Sequence, residues 1–97
     1  MPKHEDNITF TYGTRKCYAT TFVFPKKGLE KLIEKYEKIE ESAINRFQKE
    51  RISRIRKTAK YLLEGKGLEF IYGQYPQQLA RTYFHQIKYD LGKIKST

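Results

Sequence analysis

The chain has 97 residues, the length of one small domain or of one domain with an arm, and a core of this size is modest. Twenty Lys and Arg residues against eleven Asp and Glu residues give a formal net charge of +9. This excess of positive charge favours association with nucleic acid, an acidic protein face or a membrane surface, but it does not specify a fold.

Cysteine content and hydropathy indicate the cellular compartment. The single cysteine, Cys17, excludes an internal disulfide and favours a reducing environment. The stretch MPKHEDNITF lacks an apolar segment, so we expect no secretory signal. No apolar run approaches the roughly 18 residues that span a bilayer. We therefore expect a cytoplasmic protein without a membrane partner.

Residues 7–24 are predicted to form a β-hairpin. NITFTYG has the period of a half-buried strand, with Ile8, Phe10 and Tyr12 on one face, and KCYATTFVF alternates in the same way. The short connection GTR, which contains Gly13, joins the two strands. An isolated hairpin is marginal in water, so this one is expected to pack on the helices that follow.

Residues 26–64 are predicted to be helical, with Pro25 near the first turn. Apolar residues recur at helical spacing in two sets: one within 29–44, which ends with Ile39 and either Ala43 or Ile44, and one within 52–63. On one continuous helix of roughly 50–60 Å, the sets would be rotated by more than roughly 100° and would face different neighbours. A break or bend near 42–47 would bring both sets onto one core, and we favour it. Gly65 is the expected C-cap.

The remaining residues complete a single domain over 1–97. Residues 65–75, which include LEFIY, are predicted as a loop or a short third strand. Residues 76–92 are predicted as a C-terminal helix that begins at Pro76 and ends at Gly92, followed by a frayed tail. The expected fold is α+β: an N-terminal β-hairpin packed on a long or broken basic helix and a C-terminal helix.

Catalytic, metal-binding and cofactor-binding patterns are missing from the sequence. His4 and His85 are isolated histidines, and Cys17 has the character of a small buried hydrophobe. Neither a Cys/His spacing for zinc nor a phosphate-binding glycine loop is present. We therefore expect a protein that is not an enzyme and that needs no cofactor.

The stretch RFQKERISRIRKTAK, residues 46–60, is the most basic part of the chain. Residues 26–41 contain five Lys and five Glu, as an ordinary solvated helix does, whereas Glu50 is the only acid in residues 46–60. The predicted binding face consists of Arg46, Lys49, Arg51, Arg54, Arg56, Lys57 and Lys60. Arginine suits such a face because its guanidinium makes bidentate contacts with carboxylates and phosphates. An acidic protein, a nucleic-acid backbone and a solvated face without a partner remain alternatives.

Aromatic residues are the second unusual feature, since eight Tyr and six Phe make up 14% of the chain. Any single Tyr is best explained as a residue at the edge of the core. The whole set indicates an interaction surface, because Tyr and Arg are enriched where proteins bind each other.

Two prolines follow an aromatic residue, in Phe24-Pro25 and Tyr75-Pro76. The simplest role for each is to start a helix. Such bonds also populate the cis isomer and exchange slowly. Since Pro76 lies in a polar segment that its composition predicts to be flexible, Gly73, Gln74, Tyr75 and Pro76 are the predicted binding site for a prolyl isomerase.

A strongly basic, Tyr-rich chain of 97 residues that opens MPKHEDNITFTYGTRKCYATTFVF resembles the anti-RecBCD recombination proteins of lambdoid phages. The resemblance covers the whole chain and carries no diagnostic motif. It implies a phage protein of the host cytoplasm that binds the host RecBCD helicase–nuclease through RecC. Binding is then expected to modify nuclease control and the response to Chi, which favours phage recombination. The resemblance also implies association with a host cyclophilin-type peptidyl-prolyl isomerase.

Two functions follow as hypotheses. The first is a protein-binding modulator that docks on RecBCD through its basic, Tyr-rich surface. The second is a nucleic-acid-binding accessory protein without sequence specificity, for which binding to DNA alone would depend steeply on salt.

Overall fold

The computed structural model describes residues 7–12 and 20–96. Strands β1 (Asn7–Tyr12) and β2 (Thr20–Pro25) pair antiparallel, with Ile8 opposite Phe24 and Phe10 opposite Phe22. The three phenylalanines are buried, which confirms the predicted hairpin and its apolar face. Its connection, together with His4, Gly13 and Cys17, lies outside the described residues.

Two helices occupy the long helical region, α1 (Lys26–Ser42) and α2 (Arg46–Leu63). The chain is therefore broken within the interval 42–47, as the two apolar sets suggested. Asn45 caps α2, because its side chain accepts hydrogen bonds from the backbone N–H groups of Phe47 (2.8 Å) and Gln48 (3.4 Å). Helix α2 packs against α1, so the two sets share one core.

Helix α2 ends in a Schellman motif around the predicted glycine. Gly65 has φ = 81° and follows the C-cap, Glu64. Its N–H donates to the Leu62 carbonyl (3.1 Å), and the Lys66 N–H donates to the Tyr61 carbonyl (2.9 Å). The positive φ explains the choice of glycine at this position.

The prediction of a loop or third strand within residues 65–75 was wrong, because LEFIY forms the short helix α3 (Leu68–Tyr72). An apolar run of five residues does not distinguish a strand from a buried helical turn by periodicity. Here Ile71 is fully buried in the core, and Gly73 closes the helix by donating to carbonyls at its end.

The last helix, α4 (Gln77–Ser96), is longer than predicted. Gly92 lies within it and does not end it. Leu91 is buried and Ile94 packs against the core, so the final turn is held by tertiary contacts. Such contacts outweigh the cost of about 1 kcal/mol for an internal glycine.

The core is formed by the hairpin, α1, α2, α3 and α4 together. Phe84 of α4 lies at its centre, with its ring 4.9 Å from Phe10 and 6.0 Å from Phe22 between centroids. Thr58 is fully buried, and its hydroxyl donates to the Arg54 carbonyl (2.8 Å). The fold is thus α+β, with an N-terminal hairpin followed by helices. Among the described helices, none combines the length and apolar character needed to cross a bilayer.

Candidate protein-binding surface

The seven basic residues predicted as a binding face all lie on α2, but they do not form one surface. Arg46, Lys49, Arg54, Lys57 and Lys60 are exposed and fall within an arc of roughly 140° at 3.6 residues per turn. We call these five residues the cationic arc. A shallow groove of about 550 Å³ is lined by all of them except Lys60, and also by Glu40 and Glu50.

Arg56 does not belong to the cationic arc. Its Nε donates to Oε1 of Glu40 across 2.9 Å, and both side chains are only 21% exposed. This pair joins α2 to α1 where water is largely excluded, so Arg56 has a structural role. By contrast, Arg46 and Glu50 approach to 3.6 Å on the outer surface of α2, where an ion pair contributes little.

Arg51 lies on a different side of α2, beside a groove of about 510 Å³ between the end of α1 and the start of α2. Ile39, Ala43, Ile44 and Ile52 line this groove. Among the residues that the structure describes, Arg51 is the one with a charged side chain in this lining. Arg51 was predicted to belong to a single basic face, whereas in the structure it lies beside apolar residues.

The turn between α1 and α2 exposes apolar side chains to an unusual degree. Ile44 is 100% exposed, Phe47 is 81% exposed and Ile39 is 38% exposed. We call these three residues the apolar tip. Ile39 and either Ala43 or Ile44 were expected to belong to the first core-facing set. Ile39 is instead exposed near the end of α1, and of the two alternatives Ala43 is half-buried whereas Ile44 is exposed. Phe47 was not singled out, although it belongs to neither core-facing set of the sequence.

Most described tyrosines are packing residues and do not build an interaction surface. Tyr83 is buried, and Tyr61, Tyr72 and Tyr75 are half-buried. Of the tyrosine side chains that the structure describes, Tyr89 alone is exposed, at 61%. Among the described side chains, the predicted Tyr-rich surface therefore consists of the Tyr89 ring on α4.

A buried hydrogen bond joins α1 to α4. The hydroxyl of Tyr36, which is 3% exposed, donates to Oδ2 of Asp90. Burial and this neighbouring carboxylate raise the pKa of Tyr36 well above its ordinary value. The other Asp90 oxygen accepts from Nε2 of Gln86 (3.1 Å), so the single acid of α4 is engaged within the fold.

The predicted isomerase segment forms a hydrogen-bonded turn between α3 and α4, in place of the flexible loop expected from its composition. The N–H groups of Gln74 and Tyr75 both donate to the Ile71 carbonyl, and the Tyr75 hydroxyl donates to the Arg54 carbonyl (3.3 Å). The Tyr75 ring lies 5.5 Å from that of Tyr83, and burial raises the pKa of Tyr75. Pro76 is exposed, and every described peptide bond is trans.

Gly73 and Pro76 also have structural roles at helix ends. Gly73 is the C-cap of α3, and the Pro76 carbonyl accepts from the Ala80 N–H (3.0 Å) at the start of α4. Pro25 is half-buried as the N-cap of α1 and is less accessible than Pro76. Of the two, Pro76 is the one that the fold presents to solvent.

Metal-binding clusters are absent from the described part of the chain, where no three His, Cys, Asp or Glu side chains converge as ligands do. Comparison with protein families, curated proteins and solved structures finds no match to this chain.

Proposed function

We propose that this chain is a binding protein that docks on the RecC subunit of the host RecBCD enzyme and modifies its nuclease activity and Chi response. Docking acts through protein contacts and needs no catalysis by the chain itself. The resemblance to anti-RecBCD proteins supports the identity of the partner. The surface of α2 supports the mode of binding.

The observation that carries the proposal is the exposure of Ile44 and Phe47 next to the cationic arc. Large apolar side chains exposed together mark interaction sites on soluble proteins. A base could stack on the Phe47 ring, but phosphate contacts need only cations and polar donors, so nucleic acid would leave the aliphatic Ile44 without a role. An apolar anchor beside arginine and lysine is instead typical of protein interfaces.

The cationic arc adds steering and orientation to the apolar contact. Its charges complement a partner surface with exposed carboxylates, and such complementarity raises the association rate more than the final affinity. Binding is then expected to weaken moderately with salt but to persist, because burial of the apolar tip is not screened.

A second partner, a cyclophilin-type prolyl isomerase, is proposed at Gly73, Gln74, Tyr75 and Pro76. The exposure of Pro76 supports this assignment, since an isomerase must reach the bond that precedes the proline. Substitution Pro76→Ala is expected to weaken isomerase binding more than Pro25→Ala, because Pro25 is half-buried. The opposite order would move the site to Pro25.

Charge reversal on two different helices tests the main proposal. The first variant combines Lys49→Glu, Lys57→Glu and Lys60→Glu on the cationic arc, and Arg56 is left intact because it pairs with Glu40. The control makes the same change in charge on α1, at the exposed residues Lys26, Lys31 and Lys35. Affinity for purified RecBCD is measured without DNA by surface plasmon resonance.

We expect the variant on α2 to bind RecBCD more weakly and the variant on α1 to bind like the parent chain. Equal weakening of both variants would show that only net charge matters. Failure of the parent chain to bind RecBCD at moderate salt would remove the proposed partner. Circular dichroism of each variant shows whether the fold is retained.

A further inference from the structure

The outward side of α4 carries a second cationic surface, separate from the cationic arc of α2. A shallow groove of about 520 Å³ is lined by His85, Lys88, Tyr89, Gly92 and Lys93. Residues 77–96 contain one acid, Asp90, and it is turned toward Tyr36 and Gln86. The groove therefore has positive charge without a carboxylate of its own helix beside it.

The two lysines of this groove are placed by aromatic rings. Nζ of Lys88 lies 5.6 Å from the centroid of Phe22, and Nζ of Lys93 lies 4.7 Å from that of Tyr89. Within the part of the chain that the structure describes, neither lysine forms an ion pair. Cation–π contact orients an ammonium group but leaves it able to bind an anion, since it adds no negative charge to the site.

Tyr89 provides an accessible aromatic face between these cations. It is 61% exposed, and Gly92 lies three residues further along the same helix. A Cβ added at Gly92 would have no atom within 4 Å, so the helix surface beside the ring is open. Since Nζ of Lys93 lies over one face of the Tyr89 ring, a planar group would stack on the opposite face.

We propose that the groove on α4 binds single-stranded nucleic acid, with phosphates on Lys88 and Lys93 and a base stacked on Tyr89. Cations that follow a backbone, combined with an exposed aromatic ring, are the usual elements of such sites. A single strand is favoured over a duplex because the faces of duplex bases are covered by their neighbours. This site lies on a different helix from the RecBCD-binding surface and adds a second activity.

Fluorescence anisotropy with a labelled oligothymidylate tests the proposal, compared with a duplex of equal length. The probe has about 12 nucleotides, within the usual range for small single-strand binding sites. We expect the single strand to bind more tightly than the duplex. We also expect Tyr89→Ala to weaken binding by roughly 5- to 140-fold, and Tyr89→Phe to retain it, because the ring alone is required.

The lysines are tested by salt dependence. The slope of log binding constant against log salt concentration is negative. Combining Lys88→Gln with Lys93→Gln should make it shallower by about 1.4, or about 0.7 for each phosphate that is no longer neutralised. Substitution Phe47→Ala on α2 serves as the matched control, because it removes an exposed ring from the other surface. It should leave oligothymidylate binding unchanged.

Three outcomes would overturn the proposal. The first is equal affinity for duplex and single strand, and the second is full binding by Tyr89→Ala. The third is that polyglutamate competes with the labelled strand as effectively as an unlabelled single strand does. The third outcome would show that the groove binds an acidic protein surface. Because RecBCD binding is measured separately, loss of the α4 site is distinguishable from loss of the proposed function on α2.

Discussion

Phe47 offers the most direct test of the surface on α2. The substitution Phe47→Ala removes a ring that is 81% exposed and leaves a residue with high helix propensity in the first turn of α2. Because the ring contributes little to the core, we expect the free energy of unfolding to change by less than about 0.5 kcal/mol. The effect should therefore appear in binding and not in stability.

The size of the binding effect follows from the exposed fraction. Full burial of a phenylalanine side chain is worth about 1.5–3 kcal/mol, and 81% of Phe47 is available to a partner. Its burial in the complex would then contribute about 1.2–2.4 kcal/mol. At about 1.4 kcal/mol for each tenfold change, the dissociation constant for RecBCD should rise roughly 7- to 50-fold.

Surface plasmon resonance with immobilised RecBCD measures this change, and urea denaturation measures stability in parallel. Tyr89→Ala is the matched control, since it removes another exposed ring from a helix of the same protein and should leave RecBCD binding unchanged. The reasoning is refuted if Phe47→Ala binds as tightly as the parent chain. A marked loss of stability would equally refute it, because the ring would then be part of the fold.

Three further predictions concern the fold. Gly92→Ala should raise the free energy of unfolding, measured in urea, by about 0.5–1 kcal/mol, because Gly92 is helical with open space at its Cβ. Gly65→Ala should lower it by about 1 kcal/mol, because Gly65 has φ = 81°. Equal shifts for the two substitutions would contradict this. A double-mutant cycle of Glu40→Gln and Arg56→Gln should give a coupling of about 1 kcal/mol by the same method, and additive effects would show that the 2.9 Å pair contributes nothing. Phe84→Ala should cost about 3–5 kcal/mol, seen by circular dichroism as a lowered midpoint of thermal unfolding, and an unchanged midpoint would mean that the ring is not central to the core.

Local patterns in the sequence were sufficient to predict most of the secondary structure. Alternation predicted the hairpin and its buried phenylalanines, because side chains on a strand point to opposite faces in turn. The mismatch between two apolar sets indicated the break between α1 and α2, and Gly65 marked the end of α2. These features depend on neighbours in sequence, so the sequence alone contains them.

Tertiary packing decided the features that concern function. Burial of Ile71 makes LEFIY a helix, and contacts of Leu91 and Ile94 carry α4 through Gly92. Whether Arg56 is exposed to solvent or pairs with Glu40 depends on how α2 packs against α1. The exposure of Phe47 likewise depends on where the core ends, because helical periodicity defines a face but not which residues another element covers.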